Sequence, residues 1–440
     1  MRGLLVAIVL VPQLAGAEKL TLDQVIAKAV ANPKVQMANG DADYASARVD
    51  EADAARYPKI KGTAFGTISP EIRCTDTPRL CLTTEPKNFS FNFSGFYGTA
   101  QLDLAQPLYT FGKISHARTA ARAGLDAMRA LADEAAGDVA VDAARAYWGL
   151  KVARELGGML DDGLEEIDKA KKDFDAKKDA TIQDRERVGV LLAEAKAERS
   201  EAAAIEAEAL AGLRAVTGVP DADIDDAELA AIQHALPDAH GAAAASEHRP
   251  QRVAAKQGAV AADELAAFAA AQYFPDIAIV GSAVISGAQG VDDPPSAFAY
   301  DPYRRTGAGL GLGLQWQLDF WNARARADQA RAQAHKSHAQ AALADLGARY
   351  DVEVARSAAA AAKDRVDATA EGEKAGRAWL ASVLQLEAIG TAEARDLADA
   401  YVAYFQMRAR WAKAVLDFNV AVVSLGRATG EYRAGAPRPR

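Results

Sequence analysis

Cysteine is nearly absent from this sequence: two residues in 440, Cys74 and Cys81. So sparse a supply excludes a fold held by a disulfide framework. Basic charge is also short. Lys and Arg number 51 against 60 Asp and Glu, for a net charge of −9, which speaks against a nucleic-acid partner. The six His are scattered. His335 and His338 lie one helical turn apart, but no Cys or carboxylate stands at a spacing that completes a metal site. No G-x-S-x-G or S-x-x-K nucleophile motif occurs. Neither an enzyme nor a bound cofactor is expected. Long apolar runs are missing too. Beyond residue 17 nothing approaches the roughly 20 residues of a transmembrane helix, and mean hydropathy is −0.12.

What is present begins with an export signal. Arg2 is a short basic region, Leu4 to Leu14 an apolar one, and Ala15-Gly16-Ala17 an A-x-A cleavage site. Residues 1–17 therefore read as a signal peptide, with Glu18 the first mature residue. A retained anchor is the alternative, but its apolar run is too short to span. No Cys follows the site, so no lipoprotein signal is read. Cys74 and Cys81 sit close together in a polar loop of an exported chain. One local disulfide and two free thiols both fit them. The mature chain either stays soluble outside the cytoplasm or enters a membrane as β-strands.

The stretch Thr306 to Phe320, TGAGLGLGLQWQLDF, alternates strictly. Leu310, Leu312, Leu314, Trp316, Leu318 and Phe320 fall on one side. Gly307, Gly309, Gly311, Gly313, Gln315, Gln317 and Asp319 fall on the other. Side chains alternate faces along a strand, so one face is apolar and the other small or polar. The spacing is G-x-G-x-G-x-G, not the G-x-G-x-x-G of a dinucleotide loop. A half-buried strand of a soluble sheet and a transmembrane β-strand both fit.

The chain reads as a duplication. Ala55-Arg56-Tyr57-Pro58-Lys59-Ile60 resembles Ala271-Gln272-Tyr273-Phe274-Pro275-Asp276-Ile277, and Leu213 to Gly218 resembles Leu425 to Gly430. Pro33 and Pro58 are spaced as Pro250 and Pro275 are. Leu102, Leu104 and Leu108 fall on Leu312, Leu314 and Leu318. The offsets drift slightly around half the chain, as two diverged copies with small indels require. Repeat 1 spans 18–217, a connector 218–248, and repeat 2 249–433; residues 434–440 read as a disordered tail.

Each repeat has the order helix, strand, loop, strand, very long helix, break, helix. In repeat 1 these are a helix over 21–56, strands from Ile60 to Ser69 and Phe91 to Gln106, a helix from Ile114 to Ala176, and another from Ile182 to Val216. Pro107 is expected to end the second strand. Repeat 2 has a helix over 249–272, strands from Ile277 to Ile285 and Thr306 to Phe320, and helices from Ala323 to Ala388 and Thr391 to Ala428. The long helices should reach roughly 90–100 Å each, too long for a compact soluble domain. The last helix carries a seam at Leu397, Tyr401, Tyr404, Arg408, Trp411, Val415, Phe418, Val422 and Leu425, with steps of four and three. Only Arg408 in it is not apolar. Leu343, Leu346, Tyr350 and Val354 form a similar seam in the long helix. An elongated periplasmic coiled-coil adaptor or scaffold fits the helices, but not the alternation over 308–320 and 99–104. Four strands cannot close a barrel, and open edges are not tolerated in lipid. Three chains would close a twelve-stranded barrel with a lumen.

With these features the chain resembles outer-membrane efflux proteins of the TolC type over nearly all its mature length. The resemblance rests on Leu20-Thr-Leu-Asp-Gln-Val-Ile-Ala-Lys-Ala-Val30-Ala-Asn-Pro33, Gln101-Leu-Asp-Leu-Ala-Gln-Pro-Leu-Tyr109, Ala146-Tyr147-Trp148, and Gly390-Thr391 followed by Asp396 and Asp399. The implied fold is a mixed α and β membrane protein: a long α-helical barrel continuous with a transmembrane β-barrel, internally duplicated and closed by trimerisation. The implied function is a passive export conduit, the outer-membrane exit duct of a tripartite efflux or type I secretion system. Its tunnel extends into the periplasm. Its partners are a periplasmic adaptor (membrane fusion) protein, an inner-membrane pump of RND or ABC type, outer-membrane lipid, and its own copies in a homotrimer.

In that family, acidic residues after the second break ring the periplasmic entrance, and Asp396 and Asp399 match those positions. Carboxylate rings favour cations. The plainer reading is of first-turn acids favoured by the helix dipole. Asp184 is the counterpart in repeat 1, though Thr181-x-x-Asp184 also resembles a capping box. The family can carry an Arg after the Gly-Thr and an aromatic before it; here Ala392 and Glu387 stand there, so a closed-state lock needs other partners. The lipid face of the strands is expected to include Leu102, Leu104, Leu310, Leu312, Leu314 and Trp316. Phe96, Tyr97, Tyr300, Tyr303, Phe320 and Trp321 are candidates for aromatic girdles, with ordinary packing as the alternative for Trp321.

Overall fold

The computed structural model describes residues 18–69, 95–176, 181–238, 241, 244–291, 301, 303–389, 391 and 393–434. Residues 1–17, Cys74, Cys81, Phe91, Tyr300, Gly390, Ala392 and residues 435–440 lie outside them, as does the side chain of Asp184. The chain divides into two compact units. One comprises the residues up to Tyr44, Leu125–Gly258 and the chain from His338; the other comprises Ala45–Gly124 and Ala259–Ser337. Each unit draws on both halves of the sequence.

The second unit is built on a four-stranded antiparallel sheet. Its strands are β2 (Lys59–Ser69), β3 (Gly95–Tyr109), β5 (Asp276–Ala288) and β6 (Thr306–Gln315), in the order β2-β3-β5-β6. Each half supplies one hairpin, and β3 and β5 join the two. The sheet is open: β2 and β6 are edges with unpaired backbone. Pro107 does not end β3. The strand runs on to Tyr109 past an irregularity between Pro107 and Tyr109, and the Gln106 side chain donates to the Arg56 carbonyl (2.8 Å). A proline at a ladder irregularity leaves no donor unpaired.

The end of β6 also differs from expectation. The strand stops at Gln315 and a helix begins at Phe320. Asp319 turns the chain: the amide of Asn322 donates to its carboxylate (3.4 Å) and that of Ala323 to its carbonyl (3.0 Å). Trp316, expected on the strand face, lies past the strand. Its indole N–H donates to the Tyr273 carbonyl (3.0 Å) and its ring meets Phe320 edge-on at 6.1 Å.

The first unit is helical. The run expected as one helix over 21–56 is two, α1 (Leu22–Ala29) and α2 (Pro33–Ala54). Thr21 and Gln24 form a reciprocal capping box on α1, the arrangement that satisfies two of the helix's orphan donors. Asn32-Pro33 starts α2. Proline suits a first helical position and cannot continue the turn before it. Asn32 also donates to the Val216 carbonyl (3.1 Å). The long helices are α3 (Lys113–Ala176) and α6 (Phe320–Ala388), of 64 and 69 residues. The shorter ones are α4 (Ile182–Thr217), α5 (Pro250–Ala271) and α7 (Ala394–Thr429). Gly430, at φ 76°, closes α7 in the left-handed region that glycine tolerates.

The connector holds regular structure among its described residues. Its β4 (Ala222–Ile224) pairs in parallel with β1 (Glu18–Leu20). The fully buried Asn419 of α7 donates to the Ala230 carbonyl (2.9 Å) and accepts from the Ile232 amide (2.8 Å). Ala434, assigned to a disordered tail, donates its amide to Asp133 (2.9 Å).

Among the apolar clusters of this unit, two are extensive. The larger gathers Val25, Val35, Leu150, Leu213, Ile224 and Val415 with the aromatic pair Tyr147 and Trp148. Each such side chain contributes about 1.5–3 kcal/mol on burial. The smaller joins α3, α4, α6 and α7 through Ile167, Val188, Leu191, Val383, Leu397 and Tyr401. The helices approach closely at glycines. A Cβ at Gly163 would lie 2.3 Å from the Phe405 ring, and one at Gly376 would lie 3.3 Å from the Tyr404 backbone.

Candidate functional site

Two places carry the features expected of a conduit: the faces of the sheet, and the start of α7.

The sheet register sorts side chains onto faces, because residues directly opposite share one. Leu102 opposes Ala283, which opposes Ala308; Leu104 opposes Gly281, which opposes Leu310. Ile279 and Leu312 pair, as do Ile277 and Leu314. Ile60 joins them opposite Leu104. Leu102, Leu104, Leu310, Leu312 and Leu314 therefore share one face. Leu310, Leu312 and Leu314 are 65–75% exposed within the chain. Such a patch of large apolar groups marks a surface meant for another apolar medium or partner.

The opposite face is mostly small or polar, with Phe65, Val280 and Val284 also on it. It carries Lys59, Lys61, Thr63, Gln101, Asp103, Ser282 and Ser286 together with Gly307, Gly309, Gly311 and Gly313. Glycine leaves that edge bare: nothing lies within 4 Å of a Cβ built at Gly307, Gly309 or Gly311. Lys113, at the start of α3, is buried and pairs with Asp276 (2.9 Å) and the Phe274 carbonyl (2.9 Å).

Of the aromatics, Tyr97 meets Tyr303 edge-on at 6.1 Å, and Trp321 is 84% exposed. That exposure removes ordinary packing within the chain as the reason for Trp321.

Asp396 and Asp399 occupy the first turns of α7, after Thr391 has closed the end of α6 by donating its amide (2.9 Å) and hydroxyl (3.1 Å) to the Leu386 carbonyl. Both carboxylates are exposed. Asp399 faces Arg395 at 3.7 Å. Beneath them Tyr401 is buried in the smaller core. That burial, then the nearby carboxylates of Glu166 and Glu387, push its phenol up to about 12, so it stays a neutral hydroxyl. Among the described residues no group of three or more His, Cys, Asp or Glu is placed to hold a metal ion.

Sequence reasoning missed two polar clusters. Arg408, the single non-apolar member of the α7 seam, pairs with Glu155 of α3 and Glu373 of α6 (3.4 Å) and stacks its guanidinium on Trp411 at 4.4 Å. Arg377 holds the same Glu373 at 2.6 Å. The signal was there in a lone arginine inside an apolar seam; its partners, far off in sequence, were not. The second cluster centres on Asp225. Its carboxylate accepts from the buried Lys151 (2.6 Å) and from Tyr147 (2.9 Å). Burial works to raise Asp225, but Lys151 and Tyr147 outweigh it and hold the carboxyl below its usual range. Tyr147 and Lys151 of α3 thus hold the connector through Asp225.

A family model described as outer membrane efflux protein matches residues 27–219 and again 242–431. No curated protein matches the sequence significantly. Among solved structures, CusC is similar with a TM-score of 0.75 at 17% identity, covering 95% of this chain and 94% of that one. The outer membrane protein VceC from Vibrio cholerae gives 0.73 at 18%, covering 93% and 96%. The open state of the MtrE outer membrane channel from Neisseria gonorrhoeae gives 0.74 at 19%, covering 93% and 88%. At these identities the likeness speaks for the fold.

Proposed function

The chain belongs to the outer membrane efflux protein family, and we propose that it forms, as a homotrimer, the passive exit duct of a tripartite efflux or type I secretion system. Three copies of the sheet close a β-barrel in the outer membrane. Their helices line a tunnel in the periplasm, where an adaptor protein and an inner-membrane pump engage it. The pump supplies the energy; the duct supplies a wetted path. The two matched segments support reading the chain as two diverged repeats.

The observation that carries this reading is the open, two-faced sheet. Its apolar face suits lipid and its glycine-and-polar face suits a lumen. Its free edges require pairing, since lipid offers no hydrogen bonds. The helical unit repeats the demand: Leu343, Leu346 and Tyr350 of α6 are 66–69% exposed, and Met37 and Tyr44 of α2 are exposed as well. These apolar groups are placed to meet a neighbouring copy.

Asp396 and Asp399 are assigned to the entrance. Three-fold symmetry turns each into a ring of carboxylates that attracts cations and keeps α7 helices apart. Asp184 is assigned a secondary place in the same gate.

Planar-bilayer recording from purified full-length protein tests the reading. Discrete conductance steps are expected, with cation block weakened in Asp396→Ala/Asp399→Ala. Protein that stays soluble and never conducts would refute the duct; unchanged block in the double variant would refute the gate alone.

A further inference from the structure

The polar face of the sheet carries a charge pattern that differs from the chain's acidic balance. Two adjacent rows cross all four strands. One runs Lys59, Ala105, Val280, Gly311; the next runs Lys61, Asp103, Ser282, Gly309. Together these eight residues line a shallow, open depression of about 730 Å³ that also takes in Leu104, Gly281 and Leu310. On the β6 side it is open, since nothing lies within 4 Å of a Cβ at Gly309 or Gly311. Neither lysine has an ion-pair partner among the described residues. Asp103, directly opposite Lys61, makes no ion pair with it and accepts from Gln101 at 2.7 Å. The only other charge on this face among the described strand residues is Asp276, which Lys113 holds at 2.9 Å. Two free ammonium groups against one carboxylate leave the rows net positive in a protein whose net charge is −9.

We infer that Lys59 and Lys61 form an anion-attracting level in the duct wall, the place where the barrel selects solutes by charge. The inference rests on reading the polar face as lumen. Closure sharpens it: β2 of one copy then lies beside β6 of the next, and the bare glycine edge leaves the lysines room to reach across the depression. A ring of cationic side chains in a narrow aqueous channel concentrates anions and repels cations. The ligand class is a small anion or a solute carrying a carboxylate or phosphate group, held loosely enough to pass.

The test is the chloride-to-potassium permeability ratio of the full-length protein in planar bilayers under a KCl gradient. The ratio should fall from wild type to Lys59→Gln/Lys61→Gln and further to Lys59→Glu/Lys61→Glu, by about threefold or more for the last. Asp103→Asn should raise it. If the glutamate variant does not assemble, the glutamine and asparagine variants decide the question with opposite expected signs. A conducting channel whose ratio is the same in all variants would overturn the inference and leave the duct standing. Failure of the wild type itself to conduct would overturn the duct, and the inference with it.

Discussion

The two long helices, α3 and α6, hold matching places in the two halves of the chain but differ in what covers them. In α3, Val139, Leu150 and Ile167 are buried by the chain's own helices. In α6, Ala348, Val352, Ala359 and Val366 are buried along one side, while Leu343, Leu346, Tyr350 and Val354 lie open along another. A helix apolar on two sides needs two neighbours, and a single chain provides only one. The sheet shows the same contrast between the paired strands β3 and β5 and the edges β2 and β6. Both α6 and the sheet thus leave apolar side chains or strand edges uncovered within the chain.

The contrast can be broken most severely at Leu150. Leu150→Asp places an unpaired carboxylate in the larger core, a cost of several kcal/mol. Loss of folded protein is expected, read as absent helical circular dichroism and absent membrane yield. Leu343→Asp/Leu346→Asp, on the open side of α6, should behave oppositely. The helical signal should survive and the assembly should be lost, as seen by size measurement in detergent. Folded trimers from that variant would remove the open seam from the account.

Smaller effects sharpen the picture. Arg408→Leu leaves the mostly buried Glu373 with Arg377 alone and frees Glu155. A loss of about 1–3 kcal/mol is expected, measured by urea unfolding of detergent-solubilised protein, with Arg408→Lys recovering part of it. The Asp225 clamp should respond to acid. Its folded pKa is held below the usual carboxylate value, so its contribution is complete above pH ~4 and disappears as pH falls through the folded pKa. Protection of the amides of residues 222–236 against hydrogen exchange, relative to their intrinsic rates, should fall in that acid range, and Asp225→Asn should lower it at neutral pH and abolish its pH dependence.

Much of the sheet could be read from residue order alone. Alternation at Leu310, Leu312 and Leu314, and at Leu102 and Leu104, is a local signal with period two. The pairing of β3 with β5 is not local, and no turn signal announces it. Helix breaks were legible where glycine or a polar cluster marked them and missed at Asn32-Pro33, where the proline starts a new helix rather than ending the structure. The end of β6 was misplaced because Trp316, Leu318 and Phe320 keep the alternation going past Gln315, where the strand stops. The α6 seam was legible as apolar but not as uncovered, since a pattern of leucines does not say whose surface meets it. At the candidate entrance, Asp396 and Asp399 were found by resemblance, whereas the Arg408 and Asp225 clusters depend on partners brought together only by folding.

The proposed trimer requires the uncovered seam of α6 and the free edges of the sheet to meet those of identical copies. The most direct test is the native mass of the full-length protein extracted in mild detergent. A mass of three chains, falling to one in Leu343→Asp/Leu346→Asp without loss of helical signal, is the expected result. A wild-type mass of one chain, with the apolar face of the sheet and the α6 seam still exposed, would contradict it.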